Sequence, residues 1–105
     1  MFCHPDRDVS MNKNYYVYIV SSFKNRVLYI GITSDLKKRI WEHKQKMVRG
    51  FTQKYNVDRL VYYEVYDDPQ TAIQREKNMK DWKRDWKVKR IENLNPEWND
   101  LYGSL

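Results

Sequence analysis

Residues 15–33 read YYVYIVSSFKNRVLYIGIT, two aromatic and β-branched runs on either side of a short polar segment. Aromatic and β-branched residues favour strands, and runs of this length match the usual length of a strand. Residues 15–20 and residues 27–33 therefore predict two strands, joined at the polar residues 23–26. Strands connected over so short a distance form a β-hairpin.

A helix is predicted directly after the hairpin. Ser34 or Asp35 can cap its N-terminus, because a short polar side chain there accepts a hydrogen bond from a backbone N–H of the first turn. The helix is expected to run to about Lys46, with Leu36 and Ile40 on its inner face.

Residues 59–66 (RLVYYEVY) predict a third strand. Asp68 followed by Pro69 is a typical helix start, a cap and then a proline at the first helical position. Helix is expected from there to about residue 94, interrupted near residues 81–83. The order of elements predicts an α+β fold in which helices pack on a small three-stranded sheet, the hairpin plus the third strand.

The length of 105 residues fits a single domain, expected over residues 15–105. Residues 1–14 are polar and without periodicity, so they are predicted to be loosely ordered, and Met11 is a candidate for the true start. The longest apolar run has six residues, which is too short to cross a membrane, so no membrane partner is expected. The single cysteine, Cys3, cannot form an internal disulfide, which favours a cytoplasmic setting.

The chain is basic, with 20 Lys and Arg against 14 Asp and Glu and a net charge of +6. A basic chain attracts polyanions, of which nucleic acid is the commonest. The cations expected to contact nucleic acid are Lys37, Lys38, Lys80, Lys83, Arg84 and Lys87. Those near the C-terminus are interleaved with Trp82 and Trp86. The alternative is an ordinary solvated helical face with both tryptophans turned into the core.

The hairpin carries several tyrosines that are candidates for a chemical role. Tyr16 and Tyr18 share one face of the first strand, and Tyr29 lies on the adjacent strand next to Gly31. A glycine inside a strand often allows a backbone or a ligand to approach closely. The alternative is that these tyrosines only pack in the core.

The predicted helices add three further candidates. Glu76 lies on the same helical stripe as Ala72 and Met79, and a carboxylate on a core-facing stripe must be paired, protonated or bound to a cation. The alternative for Glu76 is a salt bridge to a lysine or arginine at the edge of the stripe. Arg39 and His43 lie one turn apart on the first helix and point the same way, with a solvated basic face as their alternative.

These residues, in this order, resemble the GIY-YIG nuclease superfamily. The first motif corresponds to residues 16–18 (YVY) and the second to residues 29–31 (YIG), with ten residues between them. Arg39 follows on a helix and Glu76 on a later helix. The resemblance covers roughly residues 15–100. Within the superfamily, the chain is similar to short, standalone bacterial proteins of the excinuclease-subunit-C-like type.

The resemblance implies a metal-dependent endonuclease that hydrolyses phosphodiester bonds. Tyr29 corresponds to the general base that activates water, and Tyr18 to the tyrosine that positions the nucleophile or the phosphate. Arg39 corresponds to the arginine that stabilises charge on the phosphate, and His43 to a residue that assists the base. Glu76 corresponds to the ligand of one divalent cation, Mg²⁺ or Mn²⁺.

The sequence departs from the family pattern at Tyr16, which replaces a glycine, and after Gly31, where Ile32 stands in place of a lysine found in some relatives. Asn93 or Asn95 would supply an asparagine that is common near the site. The resemblance implies DNA as the substrate. Since no recognition module is evident, branched, flapped or nicked DNA is expected.

Two other functions stay open at this point. One is a non-catalytic module with the same fold that binds DNA or RNA, and the other is a protein-interaction domain. The sequence does not specify the oligomeric state.

Overall fold

The structure, a computed structural model, describes residues 14–22, 27–47, 50 and 55–105. Along these residues the elements are β1 (Tyr15–Ser21), β2 (Leu28–Thr33), α1 (Leu36–Lys44), β3 (Arg59–Tyr66), α2 (Pro69–Asp81), α3 (Arg84–Leu94) and a short 3₁₀ helix (Leu101–Ser104). The predicted α+β class is confirmed. The segment before Asn14, with Cys3 and Met11, and the hairpin turn at residues 23–26 lie outside the described residues.

The described strands form an antiparallel sheet in the order β2-β1-β3, with β1 in the centre. In this register Tyr18 of β1 lies opposite Gly31 of β2 and opposite Tyr63 of β3. The predicted hairpin and the predicted third strand are therefore both confirmed, and the bounds of β3 are those that the sequence predicted.

Both faces of β1 are buried, because its successive side chains enter different hydrophobic clusters. Val17 and Ile19 belong to a cluster with Ala72, Met79 and Ile91, which we call the α2–α3 cluster. Tyr18 and Val20 belong to a second cluster with Leu36, Ile40, Val57 and Leu60, which we call the α1 cluster. The sheet thus separates α1, on one face, from α2 and α3 on the other.

The helix starts follow from the capping residues that the sequence offers. Asp35 accepts a hydrogen bond from the Lys38 backbone N–H at the start of α1 (3.2 Å), and Asp68 accepts one from Thr71 at the start of α2 (2.7 Å). Helix α1 ends two residues before the predicted Lys46, because Lys46 adopts a positive φ of 60° that a helix cannot continue through. The predicted interruption near residues 81–83 is confirmed.

The C-terminal segment is tied back to the sheet, which the sequence did not predict. Asp100 accepts hydrogen bonds from the backbone N–H of Leu60 in β3 (3.2 Å) and pairs with Lys44 at the end of α1. Leu101 and Tyr102 then pack against the α1 cluster. Among the described residues no helix is both long enough and apolar enough to span a membrane.

Candidate active site

A hydrogen-bonded group of three side chains lies between β1 and α1. The Tyr18 hydroxyl is 3.0 Å from His43 Nε2, and Arg39 donates from Nε to the same hydroxyl oxygen at 3.3 Å. Tyr18 is fully buried and His43 nearly so. The prediction that Arg39 and His43 point the same way from α1 is therefore confirmed. The alternative, a solvated basic face, is wrong for His43, which is buried.

The burial of this group sets its protonation. Burial raises the pKa of Tyr18 to about 12, against the opposing hydrogen bond and charge of Arg39. Burial, together with the charge of Arg39, lowers the pKa of His43 to about 4. At neutral pH the group therefore contains a protonated phenol, a neutral imidazole and a cationic guanidinium.

The direction of the Tyr18–His43 hydrogen bond follows from these charges. Since the Tyr18 oxygen already accepts from Arg39, its own proton needs an acceptor, and His43 Nε2 lies 3.0 Å away. Tyr18 therefore donates to Nε2, which leaves the ring proton of His43 on Nδ1. The arrangement holds the phenol of Tyr18 and the imidazole of His43 in fixed orientations.

Gly31 makes room for this group. A Cβ atom on Gly31 would lie 2.5 Å from Cζ and 3.0 Å from Cε2 of Tyr18, and nearer still to the hydroxyl oxygen. Only glycine fits under the Tyr18 ring, so the glycine of the second motif is required by the tyrosine of the first. The close approach expected at Gly31 is thus made by a side chain of β1.

Tyr29 borders the buried group from β2. Its ring meets the His43 ring edge to face, with centroids 5.7 Å apart and an interplanar angle of 60°. Tyr29 is half-buried, and with Leu28, Ile30, Lys80 and Lys87 it lines a cavity of about 310 Å³. Tyr29 therefore contacts the buried imidazole and also lines an open cavity.

Arg39 lines a larger cleft. This cleft has a volume of about 410 Å³ and includes Lys38, Glu42 and the residues that lead into α1. Arg39 Nη1 pairs with Glu42 Oε1 at 3.3 Å. An anion that enters the cleft would meet the guanidinium of Arg39 and the ammonium of Lys38, in competition with the carboxylate of Glu42.

Glu76 belongs to the opposite helical layer. Its stripe neighbours Ala72 and Met79 are fully buried, as predicted, and the Glu76 side chain itself is 13% exposed. Glu76 Oε2 forms a salt bridge with Lys80 Nζ at 2.7 Å, the alternative that the sequence left open. Lys80 also lines the cavity beside Tyr29.

Comparison with known proteins gives the family. Residues 14–90, well over half of the chain, match the GIY-YIG catalytic domain. This chain belongs to the GIY-YIG family. Membership of this family places the chain in a nuclease superfamily, in agreement with the resemblance of its motifs.

The most similar GIY-YIG relatives include several UPF0213 proteins. One from Haloquadratum walsbyi is 34% identical over 77 residues, which cover 73% of this chain and 85% of that protein. One from Staphylococcus saprophyticus is 35% identical over 77 residues, covering 73% and 93%. The solution NMR structure of a UPF0213 protein from Bacillus halodurans superposes with a TM-score of 0.54 at 25% identity, covering 83% of this chain and 92% of that one. The name UPF0213 specifies no activity, metal or substrate.

The donor set of this GIY-YIG chain fits a cation held by one carboxylate. Within the described ranges, no three His, Cys, Asp or Glu side chains are grouped as a metal site. Mg²⁺ usually keeps several waters and binds through one or two carboxylates together with substrate phosphates. Glu76 could serve such an ion once its bond to Lys80 is released.

The two asparagine candidates lie away from Tyr18 and His43. Asn95 is buried and holds the end of α3 to the sheet, since its Nδ2 donates to the carbonyl oxygens of Val61 (3.0 Å) and Asn99 (2.9 Å). Asn93 is exposed and borders a recess beside Trp86. The amide of Asn95 therefore has a structural role that the sequence did not reveal.

The cations predicted to contact nucleic acid remain at the surface. Lys37, Lys38, Lys80, Lys83 and Arg84 are exposed, and Lys87 is half-buried. Trp82 is partly buried against the α2–α3 cluster, whereas Trp86 is exposed. The alternative in which both tryptophans turn into the core is therefore wrong for Trp86.

A hydrogen-bonded cluster centred on Glu64 was not predicted from the sequence. This carboxylate on β3 accepts hydrogen bonds from Arg75 Nε and Nη2, both at 2.9 Å, from the Tyr66 hydroxyl at 2.6 Å and from the Tyr62 hydroxyl. Burial alone would raise the pKa of Glu64, but these donors outweigh it and hold the pKa at about 2. The pair fastens α2 to β3 at the residue before Glu76. The one signal in the sequence was a carboxylate that alternates with Tyr62 and Tyr66 on one strand face.

Proposed function

We propose that this protein is a metal-dependent endonuclease that hydrolyses phosphodiester bonds in DNA. The observation that carries the proposal is the Tyr18–His43–Arg39 group beside Tyr29, in a chain of the GIY-YIG family. Phosphodiester hydrolysis requires a deprotonated water, neutralised phosphate charge and a stabilised leaving oxygen. Tyr29, Arg39 and Glu76 are proposed to meet these requirements in turn.

Tyr29 is proposed as the general base. A neutral phenol is a weak base, so a tyrosine acts as a general base only where nearby positive charge favours its phenolate. In this proposal the charge comes from Arg39, which is linked to the Tyr29 ring through Tyr18 and His43. Tyr18 is poorly suited to the same role, because burial raises its pKa to about 12 and its proton is held by His43.

Arg39 is proposed to bind the scissile phosphate. Its planar guanidinium matches phosphate oxygens, and it lines the cleft together with Lys38. The bond from Arg39 Nε to Tyr18 fixes the plane of the guanidinium before any ligand arrives. In this proposal Tyr18 and His43 act as positioning residues for Arg39 and Tyr29.

Glu76 is proposed to hold one divalent cation, Mg²⁺ or Mn²⁺. When bound, the cation would neutralise charge on the phosphate and stabilise the leaving oxygen. Glu76 itself would bind the cation through a carboxylate that is only 13% exposed. The helix that carries it is anchored to the sheet by the Glu64–Arg75 ion pair. Lys80 would exchange its contact with Glu76 for a phosphate.

The proposed substrate is DNA with a branch, flap or nick. Exposed lysines and arginines on α1 and on α3 bind phosphates without reading the base sequence. Recognition of the shape of the DNA would then supply what selectivity there is. RNA is the alternative polyanion, and an RNA copy of each substrate tests it.

The first experiment is a cleavage assay on labelled duplex, nicked, flapped and four-way-junction DNA, with Mg²⁺, Mn²⁺ or excess chelator. Tyr29→Phe is expected to lower turnover by two orders of magnitude or more, in line with the contribution of about 10²–10⁴ from general-base catalysis. Tyr63→Phe, a hydroxyl deletion on β3, is the matched control. Unchanged turnover in Tyr29→Phe at saturating metal would remove Tyr29 from the mechanism.

The role of Glu76 is tested by a pair of variants that break the same ion pair. Glu76→Gln and Lys80→Gln both remove the Glu76–Lys80 salt bridge, which as an i,i+4 helix pair contributes only about 0.3–0.5 kcal/mol to the free energy of unfolding. Only Glu76→Gln should abolish metal-dependent cutting, whereas Lys80→Gln should at most weaken substrate binding. A large fall in melting temperature for Glu76→Gln would instead assign Glu76 to the fold.

A second candidate is a nucleic-acid-binding module that does not cut. Two contacts favour it, since the carboxylate of Glu76 is paired with Lys80 and the guanidinium of Arg39 with Glu42. Salt-sensitive DNA binding, with no cutting of any substrate in either metal, would select this function.

A further inference from the structure

The outward face of α3 combines an exposed indole with cations. Trp86, Lys89, Arg90 and Asn93 have the spacing i, i+3, i+4 and i+7, which places them on one side of a helix. Together with Trp82 they line a surface recess of about 260 Å³. The opposite side of α3 carries Ile91, which is fully buried in the α2–α3 cluster.

The indole of Trp86 is exposed and yet supported from behind. Its side chain is 58% exposed, and its ring meets Trp82 edge to face, with centroids 6.4 Å apart and an interplanar angle of 70°. Trp82 in turn packs on the α2–α3 cluster and is contacted by the guanidinium groups of Arg75 (4.9 Å) and Arg90 (5.9 Å). Trp86 therefore presents a large aromatic surface to solvent, and its ring is held in place by packing against Trp82.

The charge around Trp86 identifies the kind of ligand. Between residues 83 and 94 there are five Lys and Arg against two acidic residues, Asp85 and Glu92. The Glu92 carboxylate accepts a hydrogen bond from the Trp98 indole at 2.7 Å, so it is engaged elsewhere. A surface of this composition favours a ligand that carries both negative charge and flat aromatic groups.

We propose that Trp86, Lys89 and Arg90 form a stacking site for an unpaired stretch of nucleic acid. In single strands the bases are available to stack on an aromatic side chain while the phosphates bind cations. A duplex keeps its bases inside and offers this surface only phosphates. The ligand is therefore a single strand, or the unpaired arm of a branched substrate.

Helix α3 also contributes to the cavity beside Tyr29. Lys87, the next residue along α3, lines the cavity that Tyr29 lines from β2. A strand whose base stacks on Trp86 can place an adjacent phosphate on Lys87 and continue towards Tyr29. This second step rests on the proposed function, whereas binding at Trp86 does not.

The test is a binding measurement on the whole chain in excess chelator, so that cutting does not contribute. Fluorescence anisotropy would compare a labelled single-stranded DNA, an RNA of the same sequence and the matching DNA duplex. The variant Trp86→Lys removes the ring and adds a positive charge. Leu94→Ala, which truncates a side chain that is 71% exposed at the end of the same helix, is the matched control.

Stacking predicts that Trp86→Lys binds the single strand about tenfold more weakly in spite of its added charge, since one base stacked on an aromatic ring is worth about that factor. Binding of the duplex should stay the same or tighten, and Trp86→Phe should keep most of the single-strand affinity. Equal weakening on DNA and RNA would identify the unpaired strand in general as the ligand, and weakening on one of them would identify that one.

The proposal is overturned if Trp86→Lys binds the single strand as tightly as the parent or more tightly. It is also overturned if Trp86 instead supports self-association, seen by sedimentation as a dimer that Trp86→Lys dissolves. Should Trp86→Lys melt at a lower temperature, Lys89→Gln replaces it and should reduce the salt dependence of single-strand binding by about 0.7 in log–log slope. Binding retained without any cutting would count against the proposed nuclease and leave the stacking site standing.

Discussion

Replacing Gly31 by alanine tests how tightly the two motifs of the sheet depend on each other. The added methyl would overlap the Tyr18 ring, at 2.5 Å from Cζ where ordinary van der Waals contact begins near 3.4 Å. Tyr18 is fully buried between β1 and α1, so its ring cannot swing into solvent. Either β2 must move away from β1, or the Tyr18 hydroxyl must leave His43 and Arg39.

The magnitude follows from these two costs. Overpacking a well-packed core typically costs about 1–3 kcal/mol. Separating Tyr18 from the buried Nε2 of His43 adds about 1–3 kcal/mol for a buried group without its partner. We therefore expect Gly31→Ala to lower the free energy of unfolding by about 3 kcal/mol, which for a domain of this size is a fall in melting temperature of roughly 12–24 °C.

The assay is urea unfolding followed by circular dichroism, with thermal melting alongside. Gly103→Ala is the matched control, because a Cβ at Gly103 would meet no atom within 4 Å and its change should stay within about 0.5 kcal/mol. A double-mutant cycle with Tyr18→Phe measures the coupling directly. If Gly31→Ala were as stable as Gly103→Ala, the close approach of Tyr18 to Gly31 would not be what requires the glycine.

Three further predictions concern pH and charge. The pKa of Glu64 in the folded chain, about 2, lies below its ordinary value of 4.5. The ionised carboxylate therefore stabilises the folded state fully above pH 4.5, and this contribution is lost as the pH falls through 2. Urea unfolding should show the free energy of unfolding falling by about 2 kcal/mol between pH 4.5 and 2 in the parent chain, and Glu64→Gln should not show this fall. The pKa of His43, about 4 against an ordinary 6.5, makes the folded state lose stability as pH falls from 6.5 to 4, and this part of the pH dependence should vanish in His43→Gln; a flat profile between those values in the parent would contradict a buried neutral imidazole. Arg39→Lys keeps the charge but not the planar donor array that contacts Tyr18, so cutting should fall at least tenfold while DNA affinity changes by less than threefold, a split that a purely electrostatic role for Arg39 would not produce.

Much of the fold could be predicted because its signals are local. The bounds of β3 follow from a run of β-branched and aromatic residues, and the start of α2 follows from Asp68 and Pro69. The common direction of Arg39 and His43 follows from helical spacing alone. The resemblance implied roles for both residues at one site, but their hydrogen bonds with Tyr18 were not predicted, since spacing does not say what a helix packs against.

The unpredicted contacts of Glu64 with Arg75 and of Asp100 with Leu60 join residues of different elements. Glu64 meets Arg75 only because α2 crosses the sheet at β3, and nothing in the composition of either segment fixes that crossing. The bond from Asp100 to Leu60 likewise depends on where the chain returns after α3. Glu76 could be placed on a buried stripe, but its choice of Lys80 over other cations depends on side-chain geometry.

The two buried faces of β1 have an evolutionary consequence. Alternate residues of this strand enter the α1 cluster and the α2–α3 cluster, so no position between Tyr15 and Val20 is free to vary without disturbing one helical layer or the other. Relatives should therefore drift slowest along this strand. Adaptation to a new substrate would be confined to the outward sides of α1 and α3, where a change of charge or ring leaves the packing of the sheet untouched.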